Sequence, residues 1–164
     1  MVPVDAAGAP NDIPLKGPRP GLVLASTFRG EDRSIYVVDE VALGPLKVAR
    51  LLRIELATGQ SHLIGAWPRL RKFDRTFLSV SDRGDLLIAA SSAKKNVTLR
   101  AHVRSNGTLA PKWMFAAPGA LAYPPKLTQA GLTLPLQDAS GAHNRFVHHG
   151  DLPAGGKAEW AECF

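Results

Sequence analysis

Among its 164 residues the chain has one cysteine, two tyrosines, two methionines and three tryptophans. A single Cys163 excludes an intrachain disulfide and any zinc centre built on paired cysteines. With no organised partner foreseeable around it, Cys163 reads as an incidental thiol. No run approaches the ~18 consecutive apolar residues that a membrane-spanning helix requires. Residues 1–21 carry no basic start followed by an apolar stretch, so no signal peptide is expected and the cytoplasm is the favoured compartment. The Gly-x-Ser-x-Gly elbow of the hydrolases is missing, as are the phosphate loop and the dinucleotide fingerprint. No cofactor is expected.

Turn formers, by contrast, are abundant: Gly 15 and Pro 13. Such a supply favours many short elements over a few long helices. The hydrophobic fraction of 45% and charged fraction of 21% suit a folded globule with a core of its own. The net charge of +6 is unevenly spread. Residues 1–46 are net acidic, residues 47–104 hold twelve Lys/Arg against four Asp/Glu, and residues 105–164 balance. An excess confined to the middle third points to an anionic partner.

Residues 1–21 contain Pro3, Pro10, Pro14, Pro18 and Pro20, and read as an extended Pro/Gly-rich tail ahead of an all-β domain over 22–164. From Leu22 the pattern becomes strand, turn, strand. A first group is expected at 22–28, 34–38, 48–56 and 61–65. A second is expected at 76–80, 86–90, 97–104 and 113–115. A third is expected at 126–128, 132–136, 144–148 and 159–161. Alternation is plain at Leu52, Ile54 and Leu56 against Arg53 and Glu55. Asn106-Gly107 reads as a two-residue hairpin turn, and Pro135 demotes its strand to an edge or a bulge. The turn at Ser81–Gly84 lies about 45 residues before Gln129-Ala130-Gly131, a spacing that suits four-stranded repeats.

Phe77-Leu78-Ser79-Val80-Ser81-Asp82-Arg83-Gly84-Asp85-Leu86-Leu87-Ile88-Ala89 resembles the inner strand pair of bacterial WD40-like and YncE-like β-propeller repeats, "v-S-p-D-G-r-l-l-a". Leu52-Arg53-Ile54-Glu55-Leu56-Ala57-Thr58-Gly59-Gln60 resembles their outer hairpin, and Ile35-Tyr36-Val37-Val38-Asp39 another of their strands. Arg83 departs from the pattern by separating Asp82 from Gly84, and no Trp-Asp or Gly-His pair occurs. The resemblance implies antiparallel meanders arranged as about three propeller-like blades. A β-sandwich or barrel is the alternative. Three blades are too few to close a ring, so a larger propeller or an assembly of copies is implied.

Three functional readings follow. The first is a non-enzymatic interaction module that binds another macromolecule, with a protein partner or homo-oligomer expected. The second is a propeller-type hydrolase or lactonase with a metal site, for which His143, His148 and Asp151 are the candidate ligands. His148 and His149, as strand neighbours, would point to opposite faces. The third is nucleic-acid binding through the basic 69–75 segment. The anionic-partner residues are Arg69, Arg71, Lys72, Arg75, Lys94 and Lys95, with Trp67 and Phe73 available to stack on bases. Two glycosylation sequons, at Asn96 and Asn106, fall in expected turns and are taken as chance occurrences.

Overall fold

A computed structural model describes residues 14–68 and 73–153. They form three four-stranded antiparallel sheets, and no barrel closes among the described residues. Sheet 1 is built from β1 (Leu22–Arg29), β2 (Ser34–Leu43), β3 (Leu46–Glu55) and β4 (Ser61–Pro68), in that order. Sheet 2 repeats the meander with β5 (Arg75–Val80), β6 (Leu86–Ser91), β7 (Lys95–Val103) and β8 (Leu109–Pro118). Sheet 3 holds β9 (Ala120–Leu121), β10 (Lys126–Leu127), β11 (Gly131–Asp138) and β12 (Gly141–His148), followed by a 3-10 turn at His149–Asp151. The first two groups of expected strands overlap these elements one for one, though β2 and β8 run well beyond the expected 34–38 and 113–115. In the third, β9 was not foreseen, and the strand expected at 159–161 lies outside the described residues.

Sheet 2 lies between the other two, which explains its sequence. All six residues of β6 are buried. Leu86, Ile88 and Ala90 join Tyr36, Val38, Leu51 and Trp67 of sheet 1 in one core. Leu87 and Ala89 join Leu121, Leu132, Leu134 and Leu136 of sheet 3 in another. A strand covered on both faces needs a continuous apolar run, while a half-covered one needs alternation. Each Leu or Ile so enclosed contributes about 1.5–3 kcal/mol.

The turns that open each sheet sit at one end and are tied together. Arg29 Nε donates to the Gly84 carbonyl at 2.7 Å, linking sheets 1 and 2. Gln129 N–H donates to Asp82 Oδ2 at 3.1 Å, linking sheets 2 and 3. Gly84 takes φ +78° in its turn, and the corresponding place in the β1–β2 turn is taken by Arg33 at φ +49°. The Asn106-Gly107 turn differs from the expected two-residue form. Gly107 alone has positive φ, and Arg104 N–H reaches past it to the Thr108 carbonyl, giving a three-residue loop.

Pro135 is not at an edge or a bulge. It lies in β11, the middle strand, paired across to Asn144. Its carbonyl accepts from Ala122 N–H, so its donor-less nitrogen faces the first strand. That first strand is interrupted there: β9 and β10 pair with opposite ends of β11, and Pro124-Pro125 fill the gap. A missing donor thus costs nothing where the neighbouring chain offers no ladder. Residues 14–21 run across the outer face of sheet 1. Leu15 packs on Val37, Leu52 and Ile54, Ser61 Oγ donates to the Pro18 carbonyl at 2.7 Å, and Gly21 N–H donates to Asp39 Oδ2 at 2.6 Å.

Candidate functional site

The two terminal sheets of the array differ in what covers them. The outer face of sheet 1 carries the 14–21 strap. On sheet 3, period-two alternation turns Leu132, Leu134 and Leu136 inward and leaves Thr133 and Pro135 on the other side. Register places Asn144, Phe146 and His148 with them. Phe146 is 45% exposed and Tyr123, from the β9–β10 interruption, is 64% exposed. The Phe146 and His148 rings meet edge to face at 4.9 Å. A cleft of about 640 Å³ opens here, lined by Ser79, Tyr123, Pro124, Pro125, Thr133 and Asn144 among others. Its base is fixed by Ser79 Oγ, which donates to the Pro125 carbonyl at 2.6 Å. Among the described residues no strand pairs with the far edge of β12, whereas sheets 1 and 2 each continue to a fourth position.

The candidate metal ligands are not gathered. His143 stands opposite Leu136, on the inward face of β12, and His148 stands opposite Gly131 on the other face. Nδ1 of His143 lies 3.4 Å from Asp138. That carboxyl is held below the usual range, chiefly by hydrogen bonds from the Ser140 hydroxyl and backbone. Asp151 and His149 belong to the 3-10 turn, so His149 is not the strand neighbour of His148 that the sequence implied. Among the described residues no group of three or more His, Cys, Asp or Glu could hold a metal ion.

The basic candidates divide. Arg69, Arg71 and Lys72 lie outside the described residues. Arg75, Lys94 and Lys95 come together at one end of sheet 2, where Arg75 pairs with Ser91 and Lys95 opens β7. Arg75 Nη1 donates to the Leu121 carbonyl at 3.4 Å, and Lys95 Nζ sits 5.5 Å from the centre of the Phe73 ring. The stacking role expected of the aromatics is overturned. Trp67 and Phe73 are buried in the core between sheets 1 and 2, so neither face is open to a base. Asn96 is likewise not in a turn. It is fully buried in β7 and donates to the Gly119 carbonyl at 2.9 Å, beyond the reach of a glycosylating enzyme.

No protein family, curated protein or solved structure matches this chain.

Two ion clusters escaped the sequence reading. Asp85, buried just ahead of β6, accepts from Arg100 Nε at 2.7 Å and Nη2 at 2.5 Å, and its other oxygen lies 2.9 Å from His102 Nδ1. Asp32 accepts from the Tyr36 hydroxyl at 2.7 Å and lies within 3.0 Å of Arg29 and 3.5 Å of Arg53. Burial and the Asp32 hydrogen bond push the Tyr36 phenol well above its ordinary pKa. The signal available in the sequence was an acidic residue beside a tight turn with basic residues on a later strand, Arg53 for Asp32 and the alternate pair Arg100 and His102 for Asp85.

Proposed function

We propose that the chain is a non-enzymatic β-repeat interaction module. Its three sheets are read as propeller-like blades of the WD40-like kind, and its partner is another copy of itself. The observation that carries this reading is the end of the array that no described residue covers. Among the described residues, no strand pairs with the outer edge of β12 and sheet 3 exposes Tyr123 and Phe146, while sheet 2 is enclosed and sheet 1 is strapped. Unpaired strand edges and exposed apolar rings invite pairing. At the opposite end β1, itself an outermost strand, exposes Leu22, Val23 and Phe28. Apolar residues at both ends suit copies joined end to end, as an array too short to close would require.

Light scattering on a sizing column tests the reading over a wide concentration range. Association beyond the 17.5 kDa monomer is expected, and it should be reduced by the double substitution Tyr123→Ser and Phe146→Ser. A monomer at every concentration counts against it, as does association that the double variant leaves unchanged.

One observation favours a second reading, nucleic-acid binding: Arg75, Lys94 and Lys95 converge at one end of sheet 2. With Trp67 and Phe73 buried, contact there would be electrostatic, so affinity for single-stranded DNA should fall steeply with salt. No binding at low salt would remove it. Nothing in the geometry favours the hydrolase reading.

A further inference from the structure

The bulge in sheet 2 redirects a lysine. Along the β7–β8 pair the register runs Arg100↔Trp113 and then Ala101↔Pro111, so Lys112 is an extra residue with no partner of its own. Bulges bend a strand and re-aim side chains. Here Lys112 lines a cleft of about 420 Å³ between sheets 2 and 3, together with Arg100, Trp113, His149, Gly150, Leu152 and Pro153. That volume lies in the range of small-molecule sites.

The walls and the charges are of different kinds. Trp113 and Leu152 are buried and supply an apolar floor, and Pro153 extends it. Lys112, Arg100 and His149 supply cationic or hydrogen-bonding groups at the rim. Asp85 engages Arg100 through Nε and Nη2, which fixes the plane of the guanidinium without occupying all of its five donors. Two carboxylates, Asp85 on Arg100 and Asp151 in the 3-10 turn, stand near the cleft with Arg100, Lys112, His102 and His149, but of these only Arg100, Lys112 and His149 line it. A cleft with an apolar floor and positive rim selects an anionic head joined to an apolar body, and low-dielectric walls strengthen that attraction.

We propose that the cleft between sheets 2 and 3 binds small organic anions, the anionic head on Lys112 and Arg100 and the apolar body against Trp113 and Leu152. Carboxylates and phosphate esters share this chemistry. The site is separate from the self-association surface and does not depend on it.

The test is a titration of the full chain, followed by amide chemical shifts, with phenylacetate, phenyl phosphate, neutral phenylacetamide and inorganic phosphate. Saturable shifts at Trp113, His149 and Gly150 are expected with phenylacetate or phenyl phosphate, and the tighter of the two identifies the head group. Lys112→Gln, exposed and clear of the Asp85–Arg100 pair, should weaken that binding on the order of tenfold, the scale of one charge-assisted hydrogen bond. Arg100 is left intact because its loss would strand a buried carboxylate. The proposal is overturned by any of three results: no saturable shift with either organic anion, equal binding of phenylacetamide, or affinity unchanged in Lys112→Gln. Inorganic phosphate binding as tightly as phenyl phosphate would overturn the role of the apolar floor.

Discussion

Arg29 and Gly84, 55 residues apart in sequence, are joined by a 2.7 Å hydrogen bond from the guanidinium Nε to the glycine carbonyl. The same guanidinium pairs with Glu31 and Asp32, so one buried side chain ties the opening turn of sheet 1 to that of sheet 2. Arg29→Ala should destabilise the fold by about 2–3 kcal/mol, since it removes a buried cation from its carboxylates and strands a carbonyl. Arg29→Lys should recover only part of this, because an ammonium cannot match the planar fork. Urea denaturation of the two variants measures both. Loss of less than about 0.5 kcal/mol in Arg29→Ala, the usual surface value, would show that the turns are not coupled this way.

Arg33 holds the left-handed conformation that Gly84 holds in the next sheet. Its side chain is exposed, and its carbonyl accepts from Leu56 N–H through backbone alone. Arg33→Gly should therefore stabilise the protein by about 1 kcal/mol, through relief of a strained φ partly offset by the entropy of the unfolded glycine. A lower thermal midpoint in the variant would contradict this.

Tyr36 gives stability a defined alkaline limit. Below about pH 10 the phenol is neutral in folded and unfolded chains alike. As pH rises beyond that, the unfolded chain gives up a proton that burial and Asp32 make the folded chain keep. The unfolded state then binds fewer protons, so stability falls with pH. Comparison of wild type with Tyr36→Phe between pH 8 and 11 isolates this contribution from the lysines. The difference between the two should shrink above about pH 10; a constant difference across the range would refute the assignment.

Ile88 is fully buried at the centre of the middle sheet, facing sheet 1. Ile88→Val should cost about 0.5–1.5 kcal/mol and Ile88→Ala about 2–5 kcal/mol, since sheet 2 is enclosed and cannot collapse freely into the space. Both sheets that pack on sheet 2 should melt in one transition. Separate transitions for tryptophan fluorescence and far-ultraviolet dichroism would show that the sheets fold independently.

Strands, their order and most of their turns could be read from local pattern. Leu52-Arg53-Ile54-Glu55 alternates, β6 is apolar from Leu86 to Ala90, and Gly59, Gly84 and Gly107 mark turns that only a residue tolerant of positive φ fills cheaply. These are short-range properties, and period and turn chemistry act within a few residues. What neighbours a strand across a sheet interface is not written in that pattern. Trp67 and Phe73 looked like an exposed stacking pair and are core. Asn96 looked like a turn residue and is enclosed. Pro135 looked like an edge and sits mid-sheet, because Pro124-Pro125 interrupt the strand it cannot bond. Asp85 finds Arg100 and His102 only when β6 and β7 take their register, and Lys112 enters the cleft only because β8 bulges. Local sequence thus specified an all-β chain of meanders, while burial, charge pairing and the clefts were set by how three sheets pack, since only packing brings residues tens of positions apart within contact distance.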